Sequence, residues 1–404
     1  YSYGFANGAA FTEEVQFECA STYDEKALDS ALFLSFILVG SSYYKLFSSA
    51  DVELATGNFD SWQADFFNSV YQEGLSQFAF ENNLTRSDLA HFNATCQAPV
   101  GPSDYAGSGV LVMQSGGKDS LLTATLLKKS SKDFVAWYVS SGDHYPKVLD
   151  TIGSKLVINQ RSIDTAGLTE ALRSGGKNGH VPITYIIQSF AVIQAILLGK
   201  SDIITSIAHE GEEPHGQIGD LSVTHQWSKM WSSETSFADY VSRYISPNIR
   251  IGSGLRSYSE LRVAELFVTH AWAEYGHRFS SCNIANYQQG SDNSELKWCG
   301  DCPKCANSYL LFAPFLPASE LKSLFNNQDL FAKQSLELTF KGLLGIGDIS
   351  KPFECIGEIE ELRLAYHLAQ SKGGYQQLSF SVPESTFDYR QTYPAQDWAV
   401  KMLE

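Results

Sequence analysis

The chain has 404 residues, 44% of them hydrophobic, so it is long enough to bury a core and too apolar to be a disordered protein. Its formal net charge of −16 argues against a surface for a nucleic-acid backbone, which needs a basic stripe, and we expect no nucleic-acid partner. The longest apolar stretches, residues 31–40 and 185–199, fall short of a membrane span, so we expect no membrane partner.

The N-terminal quarter predicts a small α+β domain, residues 1–104, which is a candidate substrate-binding unit. Apolar residues partly alternate with polar ones over residues 11–19, as in a strand. Helical spacing of apolar residues runs over 24–47 and 59–80. Residues 99–109, rich in proline, glycine and serine, predict a linker.

Strands and helices alternate in the next part of the chain. The predicted strands are residues 110–114, 134–139, 155–159 and 202–208, and the predicted helices are 120–129 and 181–198. Such alternation predicts an α/β fold with a doubly wound parallel sheet, here a nucleotide domain over residues 105–280. Ligands of such sheets bind at the carboxyl ends of the strands, so the turns after Gln114 and Ala208 should share one crevice. Residues 281–404 carry a cysteine cluster and a helical tail.

A glycine-rich turn joins the first predicted strand of this sheet to its helix. It consists of Ser115, Gly116, Gly117, Lys118, Asp119 and Ser120. The glycines let the backbone approach an anion, and free N–H groups at the start of the helix bind phosphate. Lys118 adds a positive charge, the two serines add hydroxyl donors, and Asp119 could hold Mg²⁺. The interpretation as a phosphate loop competes with a plain tight turn that happens to carry these residues.

The spacing of this loop is not that of the Walker motif, so a Walker-type NTPase is excluded. The hexapeptide instead resembles the loop of the pyrophosphatase-loop ATPases. That resemblance implies a doubly wound fold of the adenine nucleotide alpha hydrolase-like type. It also implies that ATP is cut between its α- and β-phosphates, so that AMP is transferred and pyrophosphate stays on the loop.

Seven cysteines, an odd number with one tight cluster, favour a reducing compartment and a metal. The clustered four are Cys282, Cys299, Cys302 and Cys305. This spacing can close a tetrahedral zinc site, and four protein ligands leave no open position, so the zinc should be structural. Free buried cysteines and an iron–sulfur cluster are the alternatives. The segment around Cys302 resembles the zinc knot of 7-cyano-7-deazaguanine synthases.

Polar residues follow the fourth strand of the nucleotide domain. His209 and Glu210 come directly after it and are candidate catalytic residues, with a solvated acidic turn as the alternative. His225 lies in a segment that also carries Gln226 and Lys229, which favours substrate contact, although a core histidine fits the chemistry equally well.

Three more residues are candidates for contact with the nucleotide. Gly179 and His180 precede the helix predicted from residue 181 and could approach it. Arg256 could be a second phosphate clamp or a simple surface arginine.

Peptides spread over most of the chain resemble the ATP-dependent UDP-N-acetylmuramoyl-L-alanyl-L-glutamate epimerases of bacterial peptidoglycan synthesis. They lie at residues 11–15, 39–45, 74–80, 116–120, 178–182, 225–229, 279–283, 298–305 and 351–358. One departure lies in the turn after the fourth strand, where the family form would place Asn before the Glu and Arg after it. The resemblance therefore supports Glu210 as a catalytic residue shared with the family more strongly than it supports His209.

The resemblance implies an isomerase that inverts the α-carbon of a terminal L-Glu. Its substrate would be a UDP-linked muramoyl dipeptide, and ATP, Mg²⁺ and a structural Zn²⁺ its cofactors. Catalytic roles would fall to Lys118, Asp119, Glu210, His209 and His225. We expect a cytoplasmic protein, with its start trimmed because residue 1 is Tyr.

Two other functions stay open at this point, as does the oligomeric state. The chain could be a pyrophosphatase-loop enzyme that amidates or thiolates its substrate, similar to 7-cyano-7-deazaguanine synthase. It could also be a module that senses a nucleotide without turning it over.

Overall fold

A mixed sheet, most of whose strands are parallel, lies at the centre of the protein. The computed structural model describes residues 1–20, 22–54, 57–288 and 293–404. The strands of this described part are β1 (Ser2–Gly4), β2 (Ala10–Gln16), β3 (Val110–Met113), β4 (Phe134–Ser140), β5 (Lys155–Ile163), β6 (Asp202–Thr205), β7 (Gly216–Ile218), β8 (Leu221–Val223) and β9 (Arg250–Ser253). β7 and β8 form a separate hairpin, and the other seven strands form the sheet.

Helices cover the sheet and form the C-terminal part. The α-helices of the described residues are α1 (Glu25–Tyr44), α2 (Ser61–Gln72), α3 (Ser76–Glu81), α4 (Lys118–Lys129), α5 (Thr165–Arg173), α6 (Ile183–Leu197), α7 (Trp231–Tyr240), α8 (Glu260–His270), α9 (Trp272–Tyr275), α10 (Pro303–Phe312), α11 (Ala318–Ser323), α12 (Glu337–Leu343), α13 (Ile359–Lys372) and α14 (Asp397–Leu403). Short 3-10 turns lie at Lys45–Phe47, Arg86–Asp88, Lys147–Thr151, Trp227–Lys229, Leu330–Ala332 and Gln334–Leu336, and π turns at Val241–Ile245 and Ile284–Gln288.

The order of the parallel strands creates a crevice between β3 and β6. The sheet runs β1-β2-β5-β4-β3-β6-β9, and the pairs from β5 to β9 are parallel. Along the chain, β4 and β5 are therefore added on one side of β3, and β6 and β9 are then added on its other side. A reversal of this kind is the place where doubly wound sheets bind ligands.

Two apolar cores lie on opposite faces of the sheet because successive side chains of a strand point to opposite sides. Val110 and Val112 of β3 pack into the core that includes α4, α8 and α10. Leu111, between them, packs into the core that includes α1, α2 and α6. The predicted parallel sheet with helices on both faces is thus present, and its assignment to the pyrophosphatase-loop type stays a prediction.

The N-terminal hairpin belongs to this same sheet. β2 pairs antiparallel with β5. A buried ion pair reinforces the junction, since Arg161 Nε lies 2.6 Å from Glu13 Oε1. The hydroxyl of Tyr43 on α1 donates to Glu13 Oε2 at 2.8 Å. The domain boundary at residue 104 stays a prediction.

Helix α1 is longer than the apolar stretch of residues 31–40 that the sequence analysis identified. From Glu25 through the 3-10 turn to Phe47 it has the length and composition of a membrane span, and 61% of its apolar window is buried inside the protein. It packs against α6, and Asp24 caps its start by accepting from Ala27 N at 2.7 Å. Such burial is typical of a core helix.

Most predicted elements are present, and two predictions need correction. The helix expected over 59–80 is interrupted after Gln72, and a Cβ on residue 74 would lie 2.4 Å from Val70 O, so the tight turn there needs Gly74. The strand expected over 202–208 ends at Thr205. β9, the fifth parallel strand, is absent from the prediction because it is only four residues long and contains a glycine.

Replacing Glu13 by Ala should lower the free energy of unfolding by about 3–5 kcal/mol, because Arg161 then stays buried without its partner. Urea unfolding followed by circular dichroism measures the change. Glu14→Ala, at an exposed position of the same strand, is the matched control. An equal effect of the two substitutions would contradict a role of the ion pair.

Candidate active site

The loop after β3 is closed by its own serine hydroxyls. Ser115 N donates to Ser120 Oγ at 3.2 Å, and Ser120 Oγ donates to Gly117 O at 3.2 Å. Gly116 has a positive φ of 78°, and a Cβ there would lie 2.8 Å from Leu296 Cδ1. Only glycine therefore fits this turn without strain.

Helix α4 starts from this loop with free backbone donors. Its N-cap is Gly117, which has no side chain to cap the first N–H groups. Those groups and the positive end of the helix dipole have the chemistry of an anion site, and the phosphate expected there stays a prediction.

Lys118 is buried beside two carboxylates at this helix start. Its Nζ lies 2.7 Å from Asp119 Oδ1 and 2.5 Å from Glu260 Oε2. Burial alone would lower the pKa of Lys118, but the two carboxylates raise it above its ordinary value, so the side chain stays charged.

Glu260 is a site residue that the sequence analysis did not identify. It is the first residue of α8, where Ser259 caps the helix by accepting from Arg262 N at 3.1 Å. Burial raises the pKa of Glu260 to about 7, although Lys118 lowers it. A Ser followed by Glu marks a helix start in the sequence, but nothing in that pattern indicates contact with a loop 142 residues away.

Polar atoms without partners lie at the carboxyl ends of β3 and β6. Within the described residues, both amide atoms of Gln114 and the hydroxyls of Thr205 and Ser206 are buried and make no hydrogen bond. Such atoms cost about 1–3 kcal/mol each if they stay unpaired. These unpaired atoms lie at the same crevice as the free N–H groups of α4, and the nucleotide expected there stays a prediction.

Glu210 is buried and paired with Lys229, whose Nζ lies 3.0 Å from its Oε2. Burial raises the pKa of Glu210, but Lys229 outweighs burial and the pKa is lowered overall. Burial lowers the pKa of Lys229, while Cys355 and Glu210 raise it above its ordinary value. Both groups are therefore charged, and an ionised Glu210 is a weak base that is suited to holding Lys229.

Arg256 is fully buried. Its Nε donates to Glu234 Oε2 at 2.9 Å, its Nη1 to Ala208 O at 2.9 Å and its Nη2 to Lys229 O at 2.8 Å. Arg256 joins the turn after β6 to the backbone of Lys229. Its role as a phosphate clamp stays a prediction.

His209 packs against the C-terminal part of the chain. Its ring stacks on Tyr393 with 3.6 Å between centroids, and its Nε2 lies 3.8 Å from Glu358 Oε1. Burial and the charge of Arg256 lower the pKa of His209 to about 4. Its catalytic role stays a prediction.

The structure brings His180 and His225 together, with 4.2 Å between their ring centroids. His225 Nδ1 lies 2.7 Å from Oε1 of Gln77 on α3, a residue that carried no predicted role. Gly179 O accepts from Lys45 Nζ at 2.7 Å. The contacts of Gly179 and His180 are thus with the 3-10 turn at Lys45–Phe47, α3 and His225, and their role in nucleotide binding stays a prediction.

Residues 351–359, named here the strap, cross the polar turn after β6. Ile359 N donates to Glu213 Oε2 at 3.1 Å, and Lys351 Nζ pairs with the same carboxylate. His215 Nε2 donates to Pro352 O at 3.1 Å. The strap is thereby held at both of its ends.

Helix α10 holds the middle of the strap. Lys304 Nζ donates to Cys355 O at 2.6 Å, and Gly357 N donates to Asn307 Oδ1 at 3.0 Å. The sequence analysis used residues 351–358 only as part of a resemblance. The structure places Glu354 and Cys355 among the charged residues of the site.

Six ionisable residues between the loop and the strap interact electrostatically with one another. They are Lys118, Glu260, Glu210, Lys229, Glu354 and His225. Burial is the largest influence on their pKa values, and neighbouring charges oppose it at Lys118, Glu210 and Lys229. A large hollow on the surface of the described residues lies elsewhere, beside α1, and contains none of the predicted site residues.

The four clustered cysteines have the geometry of a metal site. The shortest distances between sulfurs are 3.5 Å for Cys302 and Cys305 and 3.7 Å for Cys282 and Cys302 and for Cys299 and Cys305. All four sulfurs lie within 4.8 Å of one another. A tetrahedral zinc with Zn–S bonds of about 2.3 Å separates its sulfurs by about 3.8 Å. The cluster could therefore hold a zinc ion, whereas several irons would need sulfurs farther apart.

Two family models match the chain. The MurL N-terminal domain matches residues 1–253, and the MurL C-terminal domain matches residues 278–391.

Three curated relatives carry the name UDP-N-acetyl-alpha-D-muramoyl-L-alanyl-L-glutamate epimerase. The protein of Xanthomonas oryzae pv. oryzae is 31% identical over 352 residues, which cover 87% of this chain and 77% of the relative. Those of a Micromonospora species and of Salinispora tropica are each 30% identical, over 84% and 86% of this chain and 75% of each relative. Two solved chains of diaminopropionate ammonia lyase from Escherichia coli reach TM-scores of only 0.11 and 0.13, which are too low to indicate a shared fold.

Elemental analysis of the purified protein should find one zinc per chain. Cys302→Ser should remove the metal and lower the unfolding temperature, because a closed four-ligand site stabilises the fold. Cys19→Ser, which changes an exposed cysteine outside the cluster, is the control. An absence of zinc, or the absorbance of an iron–sulfur cluster, would refute the assignment.

Proposed function

The chain belongs to the MurL family, and on that premise we propose that it inverts the terminal L-Glu of UDP-N-acetylmuramoyl-L-alanyl-L-glutamate to D-Glu in an ATP-dependent reaction. Its products are the D-epimer, AMP and pyrophosphate. The names of the relatives support the substrate and the inversion. The loop at the start of α4 supports the use of ATP. The observation that most supports ATP binding is that the uncapped N–H groups of this loop lie beside the buried charge of Lys118.

The need for ATP follows from the acidity of the reacting carbon. The α-proton of a glutamate is very weakly acidic next to an ionised carboxylate, because its removal adds a second negative charge. ATP supplies an adenylyl group that neutralises the carboxylate and turns its carbonyl into an electron sink. A base can then take the proton from one face, and reprotonation from the other face inverts the carbon. Hydrolysis of the acyl-adenylate releases the product.

Residues at the loop bind and orient the phosphates in this proposal. Lys118 neutralises negative charge that develops on the pyrophosphate, and Asp119 is placed to bind Mg²⁺ through the oxygen that Lys118 leaves free. Glu210 fixes Lys229, whose ammonium then faces the substrate carboxylate.

Remote parts of the substrate provide binding energy that positions the glutamyl end. A UDP-linked substrate, ATP and a cluster of reduced cysteines all favour a cytoplasmic protein.

Lys118→Ala should slow the substrate-dependent formation of AMP and pyrophosphate by about 100-fold, the usual effect of removing one electrostatic donor. A coupled pyrophosphate assay measures the rate, and circular dichroism checks that the variant is folded. Lys128→Ala, at an exposed position near the end of the same helix, is the control. Turnover of Lys118→Ala at the parent rate would refute the role of the loop.

In D₂O the reaction should place one solvent deuterium on the α-carbon of each D-Glu formed. AMP and pyrophosphate should appear in proportion to the product, and free glutamate should not react. Mass spectrometry and chiral analysis of the released glutamate measure all three. An amidated or thiolated product that retains its α-proton would assign the protein to a different reaction.

A further inference from the structure

Inversion of a carbon needs proton transfer on both of its faces, and the contacts of His225 suit it to accept a proton on one face. Gln77 Nε2 donates to Glu81 Oε1 at 2.7 Å, so the amide oxygen of Gln77 is the acceptor that faces His225. Nδ1 of His225 must then carry the proton, and Nε2 presents its lone pair. Within the described residues, Nε2 has no hydrogen-bond partner.

His225 is also held in the form that accepts a proton. Burial lowers its pKa to about 4 despite the nearby Glu354, so the imidazole is neutral at pH 7. Lys229 and Lys304 add to this effect. A neutral imidazole with a fixed tautomer presents one lone pair in a fixed direction, as an acceptor of a proton must.

Glu354 lies on the strap and is held by a second amide. Asn283 Nδ2 donates to its Oε2 at 3.0 Å, and its Oε1 has no partner in the described residues. Burial raises the pKa of Glu354 above its ordinary value.

The two side chains belong to different parts of the chain that meet at the strap. His225 is backed by Gln77 on α3, in the N-terminal part of the chain, and Glu354 is backed by Asn283, in the C-terminal part. Gln226, next to His225, donates through Nε2 to Ile356 O of the strap at 3.1 Å, and the ring of Phe353 lies 5.8 Å from that of Phe80 on α3. The two side chains therefore lie on adjoining segments and do not bond to each other. A small group between them would be reached from two sides.

We propose that His225 and Glu354 are the two proton-transfer residues of the epimerisation, His225 Nε2 on one face of the substrate α-carbon and the Glu354 carboxyl on the other. This inference rests on the proposed function. It adds Glu354 as a catalytic residue and Gln77 as the residue that positions His225.

The protons and electrons balance in such a step. The α-C–H bond breaks, its proton goes to Nε2 of His225, and the electron pair moves into the carbonyl of the activated carboxyl group. The pair then returns to the carbon and takes the proton of Glu354 on the opposite face. His225 passes its proton to solvent and Glu354 takes one from solvent, which restores the starting state. The opposite epimer uses the same two residues in reversed roles.

Exchange of the α-proton in D₂O, measured separately from the L- and D-epimers in the presence of ATP, tests the proposal. His225→Asn and Glu354→Gln should each lower epimerisation by at least about 100-fold. Each should lose deuterium exchange from one epimer and keep it from the other, with opposite preference. Glu360→Gln, an exposed carboxylate just beyond the strap, should behave as the parent protein does.

Formation of AMP and pyrophosphate separates this proposal from the function on which it rests. Both variants should still cleave ATP when substrate is present, which also shows that they are folded. A parent protein without ATP cleavage or exchange would refute the proposed function. Two other outcomes would refute the assignment of His225 and Glu354 while leaving the proposed function intact. In both, the parent protein epimerises the substrate. Either Glu354→Gln is as active as the parent protein, or neither variant exchanges the α-proton of either epimer.

Gln77→Leu tests the positioning role. Nitrogen-15 NMR should show that Nδ1 of His225 is no longer fixed as the protonated nitrogen, and exchange should fall for the same epimer that His225→Asn affects. An unchanged tautomer with normal exchange would overturn the role of Gln77.

Discussion

Buried charges that must be paired organise the site of this protein. Removing one partner of a buried ion pair typically costs about 3–5 kcal/mol, so each pair constrains where its two elements lie. Lys118 and Glu260 join the start of α4 to the start of α8. Lys229 and Glu210 join the 3-10 turn at Trp227–Lys229 to the turn after β6. These contacts bring residues from distant parts of the sequence to one edge of the sheet.

The C-terminal part completes the site through the strap. Helix α10 begins within the cysteine cluster, since Cys302 is its N-cap and Cys305 lies in its first turn. The same helix holds the backbone of Cys355 through Lys304. A metal ion on the four sulfurs would therefore stabilise the position of the strap as well as the fold of the C-terminal part. This arrangement explains why a structural cluster lies so near the charged residues.

Local patterns predicted many of the elements, and they failed where contacts between distant residues decide the structure. The glycine-rich turn before α4 was recognisable because glycines, a lysine and serines follow a short apolar strand directly. The interruption after Gln72 was missed because the apolar spacing continues through it, while the tight turn depends on close approach of the backbone at Gly74. The contacts of Arg256 with Glu234 and two backbone carbonyls were not foreseen, because a sequence does not show whether an arginine is exposed or enclosed.

The sequence by itself determined the chemistry that is available: an anion-binding turn, four clustered thiols, and peptides that place the chain near one family. These features are local, because they depend on residues within a few positions of one another. Only the tertiary structure decided which residues act together. Glu260 reaches Lys118, Gln77 bonds to His225, and the strap bonds to Gln226 beside that histidine, each across more than 100 residues. Such pairings depend on how helices pack on the sheet, and packing is determined by the whole core and not by any single segment.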